Sequence, residues 1–92
     1  MARIVENNKG FKVIVINNIE ASQLEFGSPI QVCLCTFCNN IIKDEIYYIP
    51  MLNDCMCKDC YNEWLKNAVY YKEDAEFEER YFNYYAKQLG LI

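Results

Sequence analysis

Two C-x2-C pairs are the residues of this chain whose type and spacing could do chemistry. The first pair is Cys35 and Cys38, the second is Cys57 and Cys60, and eighteen residues separate the pairs. Two such pairs can close on one tetrahedral Zn²⁺ through four thiolates. A metal with four sulfur ligands has no open position for water or substrate, so the spacing predicts a structural zinc rather than a catalytic one.

The size of the chain favours a metal as well. A domain of 92 residues buries only about two-thirds of the surface that its unfolded form exposes. A structural zinc can add about 10 to 16 kcal/mol of apparent binding energy, realised only on folding. The sequence shows neither the order of a secretory signal nor an apolar run long enough for a bilayer, so we expect a cytoplasmic protein, where cysteines rarely form disulfides.

Other uses of the same thiols have weaker support. Four thiolates also accept iron, as in rubredoxin, but Asn39 and Tyr61 stand where such knuckles usually place glycine. Cys57 and Cys60 at a helix start have the geometry of a redox motif, but no βαβ pattern precedes them. Zinc is therefore the metal that we expect, one per chain, with iron as the alternative.

Two further cysteines, Cys33 and Cys55, each precede a cysteine of a pair by two positions. They are additional cysteines expected near the metal. Three roles stay open for them: ligands of a second metal, a disulfide, or small buried apolar side chains.

The elements that must position these cysteines follow from the sequence pattern. Residues 3–6 and 11–16 alternate around a turn that contains Gly10, which predicts a β-hairpin. Asn18 is expected to cap a short helix over residues 18–26, with Gly27 and Pro29 beyond its end.

The metal region shows an extended segment over residues 30–35, a strand over residues 45–49 and a turn after Pro50. Helical spacing then predicts two helices. The apolar stripe expected on the first consists of Tyr61, Trp64, Leu65, Ala68 and Tyr71 or Lys72. The second is expected to begin at Asp74 and end near Gly90, with a stripe of Phe77, Tyr81, Tyr85 and Leu89.

A C-x2-C knuckle, a hairpin and a second C-x2-C entering a helix, in this order over residues 35–70, resemble the treble-clef zinc finger. The resemblance implies that Cys35 and Cys38 come from the knuckle, while Cys57 and Cys60 come from the helix start. Treble clefs serve many proteins, so this fold leaves the function open.

We therefore expect an α+β protein with a single domain over residues 1–92. Its parts are a β-hairpin with a short helix (residues 1–32), a zinc-bound treble clef (residues 33–72) and a C-terminal helix (residues 73–92).

A second set of motifs extends beyond the cysteines. It consists of Tyr47-Tyr-Ile-Pro50, Leu52-Asn53, Cys57-Lys-Asp-Cys60-Tyr61, Glu63-Trp64, Tyr70-Tyr71 and Phe82-Asn-Tyr-Tyr85. With these motifs the chain resembles small uncharacterised zinc-finger proteins of phages and mobile elements. The resemblance implies no particular activity, but it favours roles that such elements need: transcriptional control, or inhibition of a host defence system such as a CRISPR nuclease. Cys33 and Cys55 depart from the simple pattern.

The charge balance bears on the function class. The chain has nine basic and thirteen acidic residues, a net charge of −4 and no histidine. Histidine is the side chain best suited to proton transfer near neutral pH, so we do not expect an enzyme.

The thinly spread basic residues weigh against nucleic acid as a partner. We expect a non-enzymatic module that binds a protein partner, with no membrane contact. The alternative is a nucleic-acid-binding transcriptional regulator that uses Lys58, Lys66, Lys72 and Arg80.

A candidate partner surface combines aromatic and acidic residues near the second helix. Its members are Tyr70, Tyr71, Glu76, Glu78, Glu79 and Tyr84. The acidic residues either imitate a phosphate track for a basic pocket or simply favour the positive end of the helix dipole. The aromatic residues either pack on the N-terminal hairpin or form part of an interface.

Overall fold

A computed structural model describes residues 2–22, 24 and 34–92. The described residues form an α+β fold, which confirms the predicted class. Its elements are β1 (Arg3–Glu6), β2 (Lys12–Ile16), α1 (Asn18–Ser22), β3 (Ile46–Ile49), β4 (Asp54–Met56), α2 (Lys58–Asn67), a 3-10 turn (Lys72–Asp74) and α3 (Ala75–Gln88).

The four strands form one antiparallel sheet in the order of the chain. The two hairpins, β1–β2 and β3–β4, agree with the sequence prediction. The pairing of the two hairpins with each other was not predicted. Strand β2 pairs with β3, with Ile14 opposite Tyr48 and Ile16 opposite Ile46. The region that contains the cysteines is thus continuous with the N-terminal hairpin through backbone hydrogen bonds.

The two longer helices cover opposite faces of this sheet. Tyr47 stacks on Tyr61 of α2 with ring centroids 4.6 Å apart, and Tyr48 meets Tyr85 of α3 edge to face at 4.7 Å. Because adjacent residues of a strand point to opposite faces, α2 and α3 lie on different sides. This explains why every residue of β3 is buried.

The buried face of α3 differs from the predicted stripe. The residues that α3 buries are Glu78, Phe82, Tyr85 and Ala86. Of the predicted stripe, Phe77 is exposed and Tyr81 is only half-buried. The cause is a polar contact that the pattern could not show: Glu78, only 3% exposed, accepts a hydrogen bond from the backbone N–H of Lys12 at 3.0 Å. The Lys12 ammonium lies 4.9 Å from the centre of the Phe82 ring and adds a cation–π contact.

The ends of the other helices also refine the predictions. Asn17, not Asn18, caps α1: its side chain accepts from the N–H of Glu20 at 2.8 Å, and Glu20 accepts from the N–H of Asn17 at 3.0 Å. This is a reciprocal capping box. Helix α2 ends at Asn67, before Ala68 and Tyr71 of the predicted stripe, and α3 begins at Ala75.

Parts of two predicted segments fall outside the described residues. They are the later part of the predicted short helix, beyond α1, and most of the extended segment over residues 30–35. No helix in the described ranges is long and apolar enough to cross a membrane.

Replacing Glu78 by Ala is expected to destabilise the metal-loaded protein by about 1 to 3 kcal/mol, because the half-buried N–H of Lys12 loses its acceptor. Glu78→Gln retains a carbonyl oxygen and should cost less. Urea denaturation followed by circular dichroism measures both. Glu79→Ala, at an exposed neighbouring position, is the control and should change stability by at most about 0.5 kcal/mol. A Glu78→Ala protein as stable as this control would contradict the assignment.

Candidate metal centre

The structure brings together the four cysteines of the C-x2-C pairs. The Sγ atoms of Cys35, Cys38, Cys57 and Cys60 all lie within 4.8 Å of one another. Those of Cys38 and Cys57 are 4.0 Å apart. Four sulfurs around a tetrahedral zinc are separated by about 3.8 Å, so small side-chain adjustments close the group on one ion. The four cysteines are thus positioned to bind a single metal.

The first pair is shaped by a tight turn of the backbone. Leu34 forms a bridge with Ile41, and the N–H of Cys35 donates to the carbonyl of Asn40 at 3.0 Å. Asn39 returns a hydrogen bond to the carbonyl of Cys35 and has φ = 61°. Asparagine tolerates this left-handed conformation better than most residues. Asn39 departs from the glycine of rubredoxin-like knuckles, but its residue type suits this position.

The second pair lies where α2 begins. Cys57 is the N-cap residue, in an extended conformation, and its carbonyl accepts the N–H of Tyr61 at 2.9 Å. Cys60 lies in the first turn of the helix. Both cysteines therefore lie at the positive end of the helix dipole, where negative charge is stabilised in general.

A backbone hydrogen bond connects the first pair to the sheet. The N–H of Thr36, inside the first pair, donates to the carbonyl of Cys55 on β4 at 2.9 Å. Since β4 leads directly to Cys57, this bond fixes the first pair relative to the second. The metal centre is therefore built on the edge of the sheet.

The electrostatics of the cluster differ from one thiol to another. Burial alone raises the pKa of Cys35, but hydrogen bonds from the backbone N–H groups of Cys38, Cys57 and Phe37 lower it to about 6. A hydrogen bond with the Cys57 side chain raises the pKa of Cys60, because one thiol keeps its proton beside a neighbouring sulfur. A divalent cation changes this balance, since binding requires all four thiolates and releases their protons.

Of the two remaining cysteines, Cys33 and Cys55, the structure describes only Cys55. Cys33 lies outside the described residues. Cys55 is buried in the hydrophobic core, opposite Tyr48 on β3, and is not a member of the group of four. Its burial agrees with the interpretation as a small apolar side chain. The alternatives that involve Cys33 stay predictions.

The residues of the candidate partner surface differ in their exposure to solvent. Tyr71 is 56% exposed, and Glu76, Glu79 and Tyr84 are exposed as well. Tyr70 is half-buried and packs edge to face on Phe11 at 5.5 Å. Including Glu78 was wrong, because its carboxylate is buried against the backbone of β2.

The aromatic residues divide into those that pack in the fold and those that are exposed. Trp64 contacts Phe11 of the hairpin region, and Tyr85 contacts Tyr48 of β3. These side chains belong to the packing of the fold. Tyr71 and Tyr84 are exposed, and only such residues are available to a partner.

The basic residues of the alternative function are distributed over three elements. Lys58 and Lys66 lie on α2 about 12 Å apart along its axis, Lys72 lies in the 3-10 turn and Arg80 on α3. Lys66 pairs with Glu63 at 3.0 Å. Acidic side chains thus interrupt any track that these four residues would form.

No family model, curated protein or solved structure gives a significant match to the chain.

Replacing a single cysteine of the cluster tests the ligand set. Cys35→Ser and Cys57→Ser are each expected to lose tightly bound metal, because three thiolates leave the tetrahedral site incomplete. Cys55→Ser and Cys33→Ser should keep close to one metal per chain. Elemental analysis after equilibration with zinc measures the stoichiometry. Two metals in the unaltered protein, or one tightly held metal in Cys35→Ser, would contradict the assignment.

Proposed function

We propose that this protein is a non-enzymatic protein-interaction module held together by one structural Zn²⁺. The observation that carries the proposal is the group of four cysteines, whose sulfurs all lie within 4.8 Å of one another. Four thiolates complete the coordination of zinc and leave no position for a substrate. The metal then stabilises the surfaces that surround it, and binding is assigned to those surfaces.

Zinc is the proposed ion because tetrahedral thiolate sites suit it. The backbone N–H groups around Cys35 and the start of α2 favour the negative charge of the thiolates. Iron bound by the same four sulfurs is the alternative, and elemental analysis distinguishes the two metals.

A protein partner is favoured over nucleic acid by the charge near the start of α3. Residues 72–79, which we call the acidic segment, include the exposed Glu73, Asp74, Glu76 and Glu79 and one lysine, Lys72. Exposed Tyr71 lies directly before the segment, and tyrosine is enriched at protein interfaces. This combination would repel phosphates and attract a basic protein surface.

The resemblance to small zinc-finger proteins of phages and mobile elements supports a more specific form of the proposal. In that form the partner is a host factor, such as a defence nuclease whose basic channel normally holds nucleic acid. The acidic segment has the charge that such a channel attracts.

Removing the metal tests the structural role of zinc. A chelator is expected to unfold the region of α2 and the two cysteine pairs, because the metal contributes about 10 to 16 kcal/mol that the small core cannot replace. Circular dichroism and thermal unfolding follow the loss, and added zinc should restore the signal. A metal-free protein that unfolds at the same temperature as the zinc-loaded protein would contradict a structural metal.

Affinity capture tests the interaction. Immobilised zinc-loaded protein is expected to retain a defined host protein from a nuclease-treated lysate. Glu76→Lys, in the acidic segment, should weaken this capture severalfold through like-charge repulsion. Asp44→Lys makes the same charge change in the exposed loop before β3 and should leave capture intact. Capture that disappears on nuclease treatment, or equal loss in the two variants, would contradict the proposal.

A further inference from the structure

A cleft of about 380 Å³ opens between the β3–β4 turn and the segment that leaves α2. The residues of its lining that matter here are Phe11, Leu52, Trp64, Val69, Tyr71 and Asp74. Phe11 is buried and its ring lies 4.8 Å from that of Trp64, so these two residues form the base. Leu52, Val69 and Tyr71 are exposed and form the walls.

The backbone holds the cleft open on both sides. The turn between β3 and β4 is closed by hydrogen bonds from the N–H of Leu52 to Ile49 and from the N–H of Asn53 to Pro50. Asn53 also accepts a hydrogen bond from the Tyr48 hydroxyl at 2.6 Å. On the other side, the N–H of Asp74 donates to the carbonyl of Tyr71 at 3.0 Å. Backbone hydrogen bonds thus fix the positions of Leu52 on one wall and Tyr71 on the other.

The charge of the cleft has one sign. Among the described residues that line it, Asp74 is the charged one. Asp74 occupies the N-cap position of α3, but its side chain makes no capping hydrogen bond to that helix, all of whose residues are described. Its carboxylate is therefore not engaged by the helix backbone. The other exposed carboxylates of the acidic segment add to the negative potential.

We propose that this cleft binds an arginine side chain of a basic protein partner. An arginine carries an apolar stem of three methylene groups and a planar cation. The stem fits the apolar walls formed by Leu52 and Val69. The guanidinium meets the carboxylate of Asp74 and the ring faces of Trp64 and Tyr71, which attract cations.

This assignment rests on the proposed function and names the chemistry of the partner. A neutral apolar side chain would fill the same walls but would leave Asp74 without a counter-charge. An anionic partner would be repelled by Asp74 and the acidic segment. The combination of aromatic rings, aliphatic walls and a carboxylate therefore selects a cation with an apolar stem.

The chain provides a direct reporter for a test, because Trp64 is its one tryptophan. The zinc-loaded protein is titrated at low salt with the capped peptide acetyl-Gly-Arg-Gly-amide, and tryptophan fluorescence is recorded. The matched probe replaces arginine by citrulline, which has the same shape without the charge. We expect a saturable change with the arginine peptide and an affinity about three- to tenfold weaker with the citrulline peptide.

Two variants identify the carboxylate responsible. Asp74→Asn preserves a good N-cap residue for α3 and should remove the preference for arginine over citrulline. Glu79→Gln removes one charge elsewhere on α3 and should retain the preference. Equal binding of the two peptides, no saturable change, or equal effects of the two variants would overturn the proposal.

The outcome is separable from that of the proposed function. The peptide titration requires no partner, so it can succeed where affinity capture fails. Conversely, the Asp74→Asn variant could capture the partner at full strength. That result would support the interaction module but would reject the cleft as its arginine site.

Discussion

The constraint on which this fold depends is that four sulfurs from two distant parts of the chain must meet at one point. The tight turn with left-handed Asn39 brings Cys38 back toward Cys35. The start of α2 places Cys57 and Cys60 one turn apart. Neither arrangement is useful alone, because a single pair supplies only two ligands. The hydrogen bond from the N–H of Thr36 to the carbonyl of Cys55 fixes the first pair relative to β4, which leads to the second pair.

The sheet connects the cysteine pairs to the packing of both longer helices. The strand β3 is buried on both faces because Tyr47 contacts α2 and Tyr48 contacts α3. Two of the four clustered cysteines lie where α2 begins, and α2 in turn covers one face of the sheet. Helix α3 covers the other face, where the Glu78 carboxylate is anchored on the backbone of β2. A chain of this size thus obtains two packed interfaces from one central strand.

The sequence predicted the features that have local signals. The C-x2-C spacing identified the cluster, alternation around Gly10 located the first hairpin, and the β-forming residues before Pro50 located the second. Pairing of β2 with β3 has no local signal, because it depends on contacts between residues thirty or more positions apart. Glu78 was assigned to the surface because a carboxylate is usually solvated, and its burial depends on the hydrogen bond that it accepts from the N–H of Lys12 on another element. The capping by Asn17 was recognisable, since Glu20 follows it by three residues.

The helix α2 links the metal centre to the cleft. Cys60 and Trp64 are four residues apart, so they lie on the same side of α2, about 6 Å apart along its axis. Cys60 and Trp64 line a shallow depression together with Phe37, which lies between Cys35 and Cys38. A metal held by the four cysteines would fix the Cys60 side chain, and one helical turn separates Cys60 from the indole ring that packs on Phe11. In the proposed module such a metal would act on binding without contacting a partner, because it would hold the helix whose next turn forms the base of the cleft.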